Sequence, residues 1–134
     1  MRTALLVPLL LAAPAAAEAP LTADAFAAHV GADTLHYAYS TGDRGAADYG
    51  PDGTLRWAFE GEPCLDGIWF ARGDEICFAY TDGRLSACWL FYHDGGRLRG
   101  QATELGSGNT DPLEIREIGR STAPLACPGP DVGV

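Results

Sequence analysis

The sequence predicts an all-β fold: an antiparallel meander of about seven strands forming a small barrel or strongly curved sheet, with one short N-terminal helix. Three observations predict it. From residue 34 onward, short runs rich in Tyr, Trp, Phe and Ile alternate with Gly and Asp clusters, the composition of strands separated by tight turns. The connections are too short for the crossovers that parallel strands need, so neighbouring strands run antiparallel. One Ala-rich stretch is the sole helical candidate. A meander of this length gains from closing on itself, because closure removes unpaired sheet edges.

The chain opens "MRTALLVPLLLAAPAAAEAP": a single Arg, an apolar stretch from Ala4 to Ala13, then small residues ending Ala15-Ala16-Ala17. That order is the pattern of a secretory signal peptide over residues 1–17, with cleavage before Glu18. The apolar run falls short of the roughly 20 residues a spanning helix needs, so no membrane insertion is expected. The mature chain, residues 18–134, is then 117 residues, the size of one domain. Its expected destination is the periplasm or the exterior.

Within it, "LTADAFAAHV" (21–30) reads as the helix, with Thr22 or Asp24 as N-cap and Gly31 as the stop. Strand runs follow over 34–118: "LHYAYS" (35–40), "LRWAFE" (55–60), "IWFAR" (68–72), "ICFAYT" (76–81), "SACWLFYH" (86–93), "RLRGQATEL" (97–105) and "LEIREI" (113–118). The loop 41–53 has room for one further short strand around Ala46 to Tyr49. "PDG" (51–53), Asp66-Gly67, "RGDE" (72–75), Asp82-Gly83 and "DGG" (94–96) supply residues suited to tight turns. The tail 121–134, rich in proline, is expected to lie across the domain without regular structure.

Four cysteines allow three disulfide connectivities. With Asp82-Gly83 at the centre of a two-residue turn, the hairpin register sets Cys77 opposite Cys88. That pairing leaves Cys64 with Cys127, which pins the tail to the "EPCLDG" segment. The same register turns Ile76, Phe78, Trp89 and Phe91 to the core, so the Cys77–Cys88 bridge is expected on the outer, less buried side. Neither a Cys-x2-Cys zinc pair nor a Cys-x-x-Cys redox pair occurs.

Net charge is −9, every basic residue is Arg, and no basic stripe exists. This balance excludes the counterion-releasing surface of a nucleic-acid binder while permitting a cationic partner. No serine sits in a G-x-S-x-G elbow, no aspartate run has the spacing of a calcium loop, and no Gly-rich phosphate cradle opens a helix. Hence no catalytic residue, metal ligand or cofactor is assigned. Of the three histidines, His36 and His93 would support a hydrolase only if they met a carboxylate in one pocket.

Aromatic residues exceed what one face of each strand can bury. In "IWF" and "WLFY" adjacent large side chains point to opposite faces, which nominates Trp57, Phe59, Trp69, Phe70 and Tyr92 as binding residues. The segment "CLDGIWFARGDEICFAYTDGRLSACW" (64–89) resembles a family of small exported alphaproteobacterial domains of unknown function. The resemblance rests on Gly67 and Trp69, on Ile76, Cys77, Phe78 and Tyr80, and on Cys88-Trp89. It implies a signal peptide and a disulfide-bonded β-domain, and no activity. The plan of a helix followed by an antiparallel barrel is also similar to lipocalin-like carriers and small periplasmic protease inhibitors. The expectation is therefore a monomeric, non-catalytic module that binds a periplasmic protein partner. The alternatives are a carrier whose small apolar ligand sits among Trp57, Phe59, Trp69, Phe78 and Trp89, and the histidine-dependent hydrolase.

Overall fold

A computed structural model describes residues 8–13 and 18–127. The expected signal peptide lies mostly outside the described residues, as does the end of the tail; residues 8–13 carry no regular structure and are exposed. The helix α1 runs Ala23–Val30, capped by the Thr22 Oγ, which accepts from the Ala25 N–H at 3.1 Å, and ended by Gly31 at φ 54°. Eight strands follow: β1 Thr34–Tyr39, β2 Arg44–Tyr49, β3 Thr54–Phe59, β4 Leu65–Arg72, β5 Glu75–Tyr80, β6 Ala87–Asp94, β7 Arg97–Leu105 and β8 Glu114–Ser121. Each pairs antiparallel with the next, and β8 returns to β1, closing the barrel.

The small antiparallel barrel with one N-terminal helix is the expected fold, and the count refines about seven strands to eight. In a closed meander only an even number of strands lets the first and last run antiparallel, so the segment read as a loop with a short strand inside it must supply a full strand. That strand is β2, "RGAADY". Its Gly and Ala content lowers strand propensity, and the barrel interior explains the content. Gly45 pairs with Phe59 and faces inward, where a Cβ would collide with the Trp57 ring; Ala47 beside it is fully buried. A correction concerns Asp66-Gly67, read as a turn and found inside β4. Gly67 there pairs with Tyr80 and leaves space for its ring, while Asp66 points out and accepts from the Arg56 Nε–H at 2.8 Å.

The register expected for the β5–β6 hairpin holds: Ile76 faces Trp89, Cys77 faces Cys88 and Phe78 faces Ala87. Its turn does not. Strand pairing stops at Phe78 and Ala87, and Gly83–Leu85 forms a 3-10 turn capped by Asp82. The wider loop frees the strand phase from that of a two-residue turn, and Cys77 and Cys88 stand 4.0 Å apart at Cα, nearer the close spacing of a non-hydrogen-bonded pair. Both expected disulfides are formed, Cys77–Cys88 and Cys64–Cys127. The first lies on the outer face by alternation, yet its cysteines are buried, which corrects the expectation of a less covered bridge. The second holds the tail on the barrel, helped by the Leu125 N–H donating to Asp48 and by Thr34 donating to the Ala123 carbonyl. Under that strap Ala46 and Ala58 face outward and are still buried.

Two disulfides fit folding in an oxidising, non-cytoplasmic compartment. Among the described residues no helix is long and apolar enough to cross a membrane.

Candidate functional site

Strand direction sorts the loops into two sets. Loops 50–53, 73–74 and 95–96 lie at the end where α1 sits, and loops 40–43, 60–64, 81–86 and 106–113 lie at the other. The helix end is sealed. Phe26, fully buried, inserts into the barrel with its ring centroid 5.0 Å from that of Phe91, 5.2 Å from Trp69, 5.7 Å from Tyr49 and 6.1 Å from Phe78. Val30 is buried beside it.

Polar groups lock this seal. Glu117 of β8, nearly fully buried, accepts from the Leu98 N–H at 2.8 Å and from His29 Nε2 at 2.7 Å. The Arg120 guanidinium donates to the His29 carbonyl at 2.7 Å, and the His93 ring lies 5.1 Å from that of His29. A buried carboxylate needs such partners, because an unpaired one would cost several kcal/mol. Here they tie the helix to β7 and β8. The histidine that meets a carboxylate is thus His29, with His93 nearby. His36 faces outward from β1 and is exposed, on a strand that neighbours β2 and β8 and not β6. The pair that the hydrolase expectation requires is not brought together. Among the described residues no group of three or more His, Cys, Asp or Glu side chains is arranged to hold a metal.

The other end opens onto an aromatic slot of about 40 Å³. A water needs some 10–15 Å³ by this measure, so the slot has room for the tip of one side chain. Its walls are Tyr39, Trp57, Tyr80 and Trp89, its lip includes Leu85 and Ala87, and Tyr37 and Tyr49 lie at its base with their hydroxyls 2.8 Å apart. Tyr39 organises the wall, its ring 6.0 Å from Trp57 and 6.1 Å from both Phe59 and Trp89. Burial pushes the Tyr37, Tyr39, Tyr49 and Tyr80 phenols well above the ordinary range, so all four stay protonated at neutral pH. Among the described residues the Tyr39 and Tyr80 hydroxyls have no protein partner, and no fully enclosed side-chain polar atom lacks one. These two oxygens therefore remain accessible.

The five nominated binding residues do not form one face. Trp57, Phe59 and Trp69 point into the barrel: Trp57 walls the slot, Phe59 packs on Tyr39 and Trp57, and Trp69 packs on Phe26 at the sealed end. Phe70 and Tyr92 point outward from β4 and β6. Phe70 is exposed beside the Cys77–Cys88 bridge, and Tyr92 lies under the Arg99 guanidinium at 4.7 Å. The surplus of aromatics is resolved because a closed barrel takes inward-facing rings from six strands, β1 to β6, and packs them toward both ends of its interior. Tyr39, Tyr80 and Leu85 were not nominated; Tyr39 and Tyr80 do sit on the core side of their alternating runs, the one signal that could have found them.

No family model, no curated protein and no solved structure matches this chain.

Proposed function

We propose that this chain is an exported, non-catalytic binding module that receives a protein partner at the open end of its barrel. The observation that carries the reading is the asymmetry of the ends: one is plugged by Phe26 and tied by Glu117, while the other holds a small aromatic slot lined by two tyrosines whose hydroxyls have no protein partner among the described residues. Functional sites fall where a scaffold leaves groups unsatisfied by its own fold. The signal-peptide pattern and the oxidised cysteines support export to the periplasm or beyond, and membership of the resembled alphaproteobacterial family belongs to the same proposal. A slot of about 40 Å³ supports a carrier of a small apolar ligand less well, since small-molecule pockets are typically several hundred Å³.

Position-specific photocrosslinking tests this reading. A crosslinking residue replaces Leu85 at the lip, or Phe70 or Tyr92 on the outer wall, and the exported protein is irradiated in its own compartment. The reading expects a discrete protein adduct from Leu85 alone. Adducts only from Phe70 or Tyr92 would move the binding surface to the barrel wall, and a small-molecule adduct at Leu85 would favour the carrier.

A further inference from the structure

We propose that the occupant of the slot is the cationic side chain of a lysine or arginine, presented by a basic segment of the partner. The inference rests on the reading above and adds the chemistry of what binds. Charge complementarity argues for it first. The loops around the open end carry Asp43, Glu60, Glu62, Asp82 and Asp111 against a single Arg84, and Arg84 is held by Asp82 at 3.4 Å. Among the described residues Asp43, Glu60, Glu62 and Asp111 enter no ion pair, although Arg44 stands at the start of β2 near three of them. Such a rim raises the local concentration of cations and repels anionic segments, and its reach is a Debye length, about 8 to 10 Å in ordinary buffers.

The slot supplies the second, independent argument. Its walls are the rings of Tyr39, Trp57, Tyr80 and Trp89, and ring faces attract an ammonium or guanidinium group. The Tyr39 and Tyr80 hydroxyls have oxygens free to accept from such a donor, and burial keeps them neutral phenols. Size agrees: about 40 Å³ admits the end of one side chain and excludes a fatty chain. An apolar side chain would fill the rings and leave the acidic rim without a partner; an acidic one would meet repulsion before entry.

The test uses the folded, disulfide-bonded protein with hexalysine, hexaarginine and hexaglutamate as probes, read by tryptophan emission, because Trp57 and Trp89 wall the slot. Saturable binding of either basic peptide with a change in emission is expected, and none of hexaglutamate. The triple variant Asp43→Asn, Glu60→Gln, Glu62→Gln changes exposed loop residues only and should weaken binding at least about tenfold, as loss of local charge steering implies. Tyr80→Leu should do the same through the rings, with circular dichroism checking its fold. Binding that leaves emission unchanged, or that survives Tyr80→Leu in full, would mean adhesion to the rim and overturn the proposal, as would failure of both basic peptides to bind. The two readings separate in one further measurement. If the Leu85 protein adduct persists in the presence of excess hexalysine, the mouth binds a partner by other chemistry and only this inference fails; if no Leu85 adduct forms at all, the mouth itself is wrong.

Discussion

The two ends of this barrel are made from the same eight strands and are finished in opposite ways. At one end a helix of eight residues fills the interior with Phe26, and Glu117 satisfies donors from β7 and from the helix. At the other, no helix or strand among the described residues covers Tyr39, Tyr80 and Leu85. The difference teaches that closing a barrel removes its edges but not its ends. Each end exposes the interior unless something plugs it, and a plug on one end alone concentrates both stability and rigidity there, leaving the other available for binding.

The comparison breaks most readily at Phe26. Truncating it to Ala removes a fully buried ring that touches four other aromatics and should cost about 3 to 5 kcal/mol, a large part of the stability of a domain this size. Urea unfolding with unchanged slope would measure it. A loss below about 1 kcal/mol, outside that range for buried rings, would mean that the helix does not plug the barrel in solution.

Glu117→Gln sharpens the same end. Glutamine can still accept from the Leu98 N–H but gives up the charge that His29 and Arg120 face. The expected cost is about 1.5 to 3 kcal/mol, the range for hydrogen bonds to charged groups. Amide exchange should rise in α1 and at Leu98 while the loops of the open end stay unchanged. Equal loosening at both ends would show that Glu117 supports the whole barrel and not its seal.

How much of this was legible in the sequence follows from which residues speak locally. The helix bounds were readable because Thr22 and Gly31 mark caps by side-chain chemistry alone. Both disulfides were readable once one hairpin register was set. β2 was legible only as a short strand around Ala46 to Tyr49, because its Gly45 and Ala47 are small on account of Trp57, which comes ten or more residues later and announces nothing at the site. Asp66-Gly67 misled for the same reason: its glycine serves the Tyr80 ring and not a turn. The slot lay further out of reach. Aromatic alternation tells which rings face inward, so Trp57 and Trp89 were foreseeable as interior, but which of the two ends they would face depends on closure and on where α1 docks. The His29–Glu117 contact joins residues 88 apart in sequence, and no local pattern signals it.

Alkaline pH separates the ends by a smaller effect. Tyr37, Tyr39, Tyr49 and Tyr80 line the slot, and burial raises each folded-state pKa above the ordinary value of 10.0. A group whose folded pKa is raised contributes stability that is fully present below its unfolded value and is lost as pH climbs toward the folded one. Stability should therefore hold up to pH 10 and fall above it, with tyrosinate absorbance from these four residues appearing together with loss of near-ultraviolet circular dichroism. Ionisation of all the tyrosines near pH 10 with the fold intact would show a slot far more open to water than the packed walls allow.

The smallest expected effect on stability is at Leu85, which is 39% exposed on the lip. Substituting Ser removes an apolar side chain that the core does not use, so unfolding free energy should change by no more than about 0.5 kcal/mol, as for ordinary surface positions. If the open end binds, the same substitution should still weaken hexalysine, because Leu85 narrows the entrance and keeps water from the rings, where a desolvated cation–π contact is stronger than an exposed one. A variant as stable as the parent and poorer in binding is what a functional end looks like. A variant destabilised on the scale of Phe26→Ala would make the two ends alike, and the asymmetry on which the binding reading stands would be gone.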